Sequence, residues 1–238
     1  MERGSRMVGT VFGLIAVAEL VLLVSTIQLW RRHPDRVLPL LMLVVAALIW
    51  DNAVIAAGRP IGAGGVLEGL SVPRFVTHAL LVPLLILVGA GLGRGYRVRW
   101  LAGPVARWGF GGLTLLMIAI GVWQDIVSLD LEPAYYADTV RYTNAAATGP
   151  PIPAIVAIWV LLAVGVAVLV RARWPWLLAG SATMLVAAGA GVAVPWLGNL
   201  GELVLTASLW QTAAHLEPPV EERVGREQAA RVIGNDKR

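Results

Sequence analysis

The sequence predicts an all-α membrane protein: a seven-transmembrane-helix bundle with its N-terminus outside and its C-terminus cytoplasmic. Three observations carry this expectation. The 238-residue chain is 58% hydrophobic and only 14% charged, with a mean hydropathy of +0.74; soluble domains carry about 25% charged and about 45–50% apolar residues. Seven apolar segments approach the roughly 20 residues that span a bilayer core. Arginine is distributed unequally between the alternate loops that join them.

The first span covers about 7–30. Its apolar stretch exceeds the roughly 7–15 residues of a secretory signal core, and no small-x-small cleavage pattern follows, so it is expected to remain as a helix. The next four spans are expected at about 37–57, 75–93, 110–127 and 152–170. The last two, about 176–195 and 199–216, are divided by Pro195-Trp196-Leu197-Gly198. Proline and glycine there punctuate a run too long for one crossing. Residues 1–216 form the transmembrane domain, and 217–238 a charged, solvated cytoplasmic tail with a short helix near 220–232. Gly89 and Gly93, and the run Ala187 to Gly191, are smooth enough for close helix packing within one bundle.

Orientation follows from the basic residues. Arg31, Arg32, Arg36, Arg94, Arg97, Arg99, Arg107, Arg171, Arg173 and the tail place fourteen of the nineteen on one side. Arg3, Arg6, Arg59, Arg74 and Arg141 lie on the other. The richer side is expected to face the cytoplasm of a multi-pass plasma-membrane protein. Trp30, Trp100, Trp108, Trp174, Trp176 and Trp210 fall near that boundary, where an amphipathic ring is favoured.

Composition also excludes chemistry. With no cysteine there is no disulfide or thiolate nucleophile, and the sole lysine, Lys237, lies in the tail. A retinal Schiff base inside the membrane is therefore excluded. Arginine follows topology, so the basic balance does not imply nucleic acid.

Charges inside a span cost roughly 2.5–3.5 kcal/mol for a central Asp, and this chain places Glu19, Asp51, Asp125 and Glu202 in or at spans. Two inside-to-outside spans end alike, in Trp50-Asp51-Asn52 and Trp123-Gln124-Asp125, and a third ends in Trp196-Leu197-Gly198-Asn199. Arg74 and His78, four residues apart, share a helical face at the start of the third span. The expected arrangement is a polar pocket open to the outer half of the bilayer. Asp51, Asn52, His78, Gln124, Asp125, Asn199 and Glu202 line it, Arg74 and loop residue Glu68 stand at its mouth, and Trp50 and Trp123 form aromatic walls. Asp51, Asp125, Glu202 and His78 are the candidate acid–base groups, because clustered carboxylates in low dielectric do not all ionise.

Simpler roles stand beside these: interfacial solvation or a hydrogen bond to a neighbouring helix for Asp51 and Asn52, interfacial solvation for Asp125, a helix cap for Glu202, and a structural pair of Arg74 and His78 with Glu68 or Asp51. Glu19, deepest in its span, is expected to be protonated or paired across the bundle. His78 with carboxylates offers metal-ligand types, but no HxxxH or DxxD spacing supports a metal, and no cofactor is required. The outer loop from Ser128 to Pro153 carries Tyr135, Tyr136, Arg141 and Tyr142, and is read as a lid with a short amphipathic helix or as an interfacial strap.

Three functions fit: an intramembrane enzyme on a lipid or isoprenoid, a small-solute or lipid transporter, and a non-catalytic lipid-binding or assembly protein. In helix number and length the chain is similar to small membrane-bound terpene cyclases, which implies protonation and cyclisation of an isoprenoid. Its seven spans also resemble the three-plus-one-plus-three plan of small sugar transporters, without the Pro-Gln pair of that group. Polar residues confined to one half argue against a carrier, which needs access from both sides.

Overall fold

The computed structural model describes residues 7–216. Eight α-helices and one β-hairpin follow in order: α1 (Val8–Arg32), α2 (Val37–Ile61), α3 (Gly65–Leu81), α4 (Leu84–Gly95), α5 (Pro104–Val122), β1 (Leu131–Tyr136), β2 (Thr139–Asn144), α6 (Ile152–Ala172), α7 (Trp176–Ala190) and α8 (Pro195–Ala214). A 3₁₀ turn, Arg99–Leu101, precedes α5, and a π-helical turn, Trp123–Val127, extends it. Among the described residues four helical stretches are long and apolar enough to cross a membrane: α1, α2, α5 with its π turn, and α6. A fifth joins them if the bent pair α3–α4 is one span. The chain is thus a mostly helical, multi-pass membrane protein.

The core is aliphatic and central. Leu41, Val44, Val45 and Leu48 of α2 pack with Ile86 and Val88 of α4, Leu161 and Val164 of α6, and Leu205 and Leu209 of α8. Large apolar side chains such as Leu14, Val105, Leu115, Val170 and Val186 face outward, as expected of helices solvated by lipid.

Glycine lets several helices approach closely. A Cβ on Gly89 would lie 2.6 Å from a Leu161 methyl, and one on Gly165 would lie 2.8 Å from the Leu178 backbone. The Gly89–Gly93 pair therefore packs α4 onto α6 of the same chain. Gly180 abuts Ser208, Gly201 abuts Ala187 and Met184, and Gly191 abuts Gly198. That reversed order makes α7 and α8 an antiparallel helical pair, divided at residues 191–194 with Pro195 in the first turn of α8.

Three local expectations are corrected. The span expected at 75–93 starts earlier and is broken: α3 begins at Gly65, and α3 and α4 bend by 41° at Val82-Pro83. Pro83 has no N–H to bond Ala79 O, and its ring clashes with that carbonyl in a straight helix; the freed carbonyl lies against Gly121 of α5. Glu68 consequently sits in the first turn of α3, not in a loop. The outer loop forms the antiparallel pair β1–β2, with Leu131 opposite Asn144 and Tyr136 opposite Thr139, where a short helix was expected. Thr139, Val140 and Tyr142 are strand formers, and Ala137 takes the left-handed conformation (φ 51°) in the two-residue turn. The short helix expected near 220–232 lies outside the described residues.

Candidate functional site

The β-hairpin closes one end of the helical body. Asp138, in its turn, accepts hydrogen bonds from Val8 N–H (3.0 Å) and Gly9 N–H (3.1 Å), capping α1. Val140 O lies so close to Gly58 of α2 that a side chain there would collide with it. Gly64 N–H donates to the Tyr142 hydroxyl at 3.1 Å, tying β2 to the start of α3. Asn144 Nδ2 donates to Gln124 O at 2.9 Å and anchors the other end of the hairpin to the π turn.

Beneath this cover lies a buried polar cluster built by α1, α2, α3 and α8. Arg74 Nε meets Asp51 Oδ1 at 2.6 Å, with the two residues 8% and 5% exposed. Arg74 Nη1 also donates to Tyr142 O at 3.3 Å, and its guanidinium carbon lies 5.7 Å from the Phe75 ring centre. Asn199 Nδ2 donates to Asp51 Oδ2 at 3.0 Å, so both carboxylate oxygens are engaged. One turn-face away, Asn52 Nδ2 donates to both oxygens of Glu19, at 3.2 and 3.0 Å, and to Leu48 O. Glu19 and Asn52 are fully buried, and Asn52 Oδ1 has no partner among the described residues.

This geometry follows from helical spacing. Leu67, Ser71 and Arg74 are the buried residues along α3 before His78, at offsets of four and seven, which is one helical face. The start of α8 at Pro195 puts Asn199 and Glu202 within its first two turns, level with Asp51. His78 follows Arg74 by one turn of α3, and α3 packs against the π turn that carries Asp125. Glu202 borders a cavity of about 30 Å³ whose other walls include Val44, Leu48, Val82, Leu85 and Ile158. That volume is on the scale of one water molecule.

The expected residues therefore divide. Asp51, Asn52, Arg74 and Asn199 belong to the hydrogen-bonded cluster, with His78 and Glu202 beside it. Of the two simpler readings of Asp51, the hydrogen bond to neighbouring helices holds and interfacial solvation does not; burial of Arg74 corrects its expected place at an open mouth. Asp125 and Gln124 stand on the π turn under the end of the hairpin, partly exposed. Glu68 is exposed on α3, apart from the cluster. Trp50 and Trp123 are 41% and 66% exposed and face outward, with Trp50 Nε1 donating to Leu70 O.

Sequence reasoning missed the contribution of the Tyr142 carbonyl, since a main-chain contact leaves no side-chain signature. It also left the partner of Glu19 open; Asn52 is that partner. Arg141, on β2, buries its Nε without a partner among the described residues. Burial, followed by the nearby Arg74 charge, lowers its pKa from the ordinary arginine value. Among the described residues no three His, Asp or Glu side chains stand close enough together to hold a metal ion. In sequence the chain matches no protein-family model and no curated protein.

Proposed function

We propose that the chain is an intramembrane enzyme acting on a lipid or isoprenoid by carboxylate acid–base chemistry at the hairpin end. One observation carries the reading. A buried cluster holds carboxyl groups from α1 and α2, and a third carboxyl, Glu202 of α8, borders a largely aliphatic cavity together with Leu48, whose carbonyl the cluster's Asn52 engages. A hydrocarbon chain suits those walls, and an acid at their polar end suits protonation of an alkene or epoxide. In this reading Glu202 delivers a proton to the substrate carbon or oxygen. Asp51, held on both oxygens by Arg74 and Asn199, supplies a fixed negative charge beside the developing cation. His78 and Asp125 accept the proton released when the cation collapses. Substrate enters by parting the aliphatic walls, because the resting cavity has room for about one water.

The topology belongs to the same proposal. Counting α3–α4 as one crossing and adding α7 and α8 gives seven, with the hairpin end outside and the arginine-rich end in the cytoplasm. The host is the plasma membrane.

The test is lipid analysis of cells expressing the chain or its Glu202→Gln variant, with both proteins quantified in the membrane. A lipid or isoprenoid product that appears with the unaltered chain and vanishes with the variant supports the reading. Identical profiles at equal protein levels overturn it.

A further inference from the structure

The end of the body opposite the β-hairpin holds a cleft of about 1520 Å³ between the ends of α1, α2, α4, α6 and α8. Five arginines line it: Arg32, Arg36, Arg94, Arg97 and Arg171. Among the described residues Asp35 is the one carboxylate on its walls, and its Oδ1 is engaged by Val37 N–H at 2.7 Å. Among the described residues the Arg74–Asp51 pair is the only ion pair, and no carboxylate of those residues lies within 4.0 Å of the five. Trp210, which also borders the cleft, buries an indole N–H with no acceptor among the described residues. Leu29 and Leu38 give the same cleft an apolar wall.

We propose that this cleft binds the phosphate-bearing headgroup of an anionic phospholipid. Two simpler explanations of the arginines fall short. Cations offset the dipole at helix C-termini, which suits Arg32, Arg94 and Arg171. Arg36, however, immediately precedes α2, at the end where a cation is disfavoured, and Arg97 lies beyond α4 with a left-handed backbone (φ 57°). The bias of arginine toward one membrane face accounts for number but not for convergence. Arg99 in the 3₁₀ turn, Arg107 near the start of α5 and Arg173 just after α6 do not line the cleft. Guanidinium groups suit phosphate oxygens through paired N–H donors. The volume exceeds the roughly 300–1,000 Å³ of ordinary small-ligand pockets, and the apolar wall suits glycerol and upper acyl carbons rather than a lone ion.

The test uses the full chain purified in detergent, with lipid binding read by native mass spectrometry and by thermal shift. Probes are phosphatidic acid, phosphatidylglycerol, phosphatidylcholine and inorganic phosphate. Both anionic lipids should bind, and phosphatidylcholine should not. The double variant R36Q/R97Q should weaken binding roughly 30-fold, about fivefold per arginine, while R99Q/R107Q stays within about twofold. Inorganic phosphate that binds as strongly as the lipids, with the same dependence on Arg36 and Arg97, supports the phosphate site and assigns it to a soluble ligand. Equal weakening by both double variants, or equal binding of phosphatidylcholine, overturns the proposal. Should R36Q/R97Q fail to fold, Arg171→Gln decides, with a loss of about fivefold expected.

Discussion

Replacing Asp51 by Asn tests whether the Arg74 ion pair is the buried tie that the geometry describes. The substitution keeps volume and leaves an amide oxygen for Arg74 Nε, and Asn199 can turn its own amide to meet the new one. It removes the only carboxylate among the described residues within 4.0 Å of a guanidinium that is 8% exposed. Breaking a buried pair on one side costs about 3–5 kcal/mol, because the remaining charge stays desolvated. For a chain of 150–250 residues, about 1 kcal/mol moves the melting point by roughly 2–4 °C, so Asp51→Asn should lower it by roughly 6–20 °C. Arg74→Gln should cost a similar amount. The double variant should cost no more than either single one, since no unpaired charge remains, giving a coupling of at least about 3 kcal/mol. The assay is tryptophan-monitored melting of the four proteins in one detergent, completing a double-mutant cycle. Losses that simply add, or a single-variant loss below about 1 kcal/mol, would refute the pairing as a source of stability.

Three further outcomes follow from the same structure. Gly58→Val should push Val140 O and β2 off α2, raising limited proteolysis in 131–144 while the helical far-UV signal stays; unchanged cleavage contradicts that contact. Asp138→Ala removes both bonds at the start of α1 and should destabilise by about 0.5–2 kcal/mol, read as a lower melting point that Asp138→Asn partly restores. Burial pushes the Tyr96 hydroxyl, which donates to Thr212 O at 3.0 Å, up to about 12. A tyrosine that ionises later in the folded than the unfolded chain holds its proton preferentially when folded. Stability should therefore fall between about pH 10 and about pH 12, and Tyr96→Phe should flatten that fall in alkaline melting curves.

How far the residues foretold the structure depended on the kind of signal each carried. Apolar length located α1, α2 and α6 closely, because crossing a bilayer is a local demand; the break expected at Pro195–Gly198 lies instead at 191–194, since Pro195 suits the first turn of α8 rather than the end of α7. Convergence of Asp51, Arg74 and Asn199 was legible too, since each stands near the same end of its helix. The β-hairpin was not: Ala137-Asp138 lacks the Asn-Gly or Asp-Gly signature of a two-residue turn, and its stability comes from Asp138 gripping a helix more than a hundred residues earlier. The start of α3 was hidden by the Gly-rich stretch from Gly58 to Gly65 and by Glu68 and Arg74, which depress hydropathy in a segment whose amphipathic period is nonetheless sound. Pro83 was visible, but apolar residues on both sides masked the bend. Open space in the pocket was beyond sequence, because volume depends on how side chains interdigitate.

The bend at Pro83 gives one crossing two separate sets of constraints. Toward the β-hairpin, α3 is fixed by a charge that must find Asp51; toward the arginines, α4 is fixed by shape, through Gly89 and Gly93 against α6. Because a rigid rod does not join them, variation in one segment need not be answered by variation in the other. The polar half can therefore diversify its chemistry while the packed half conserves its steric fit.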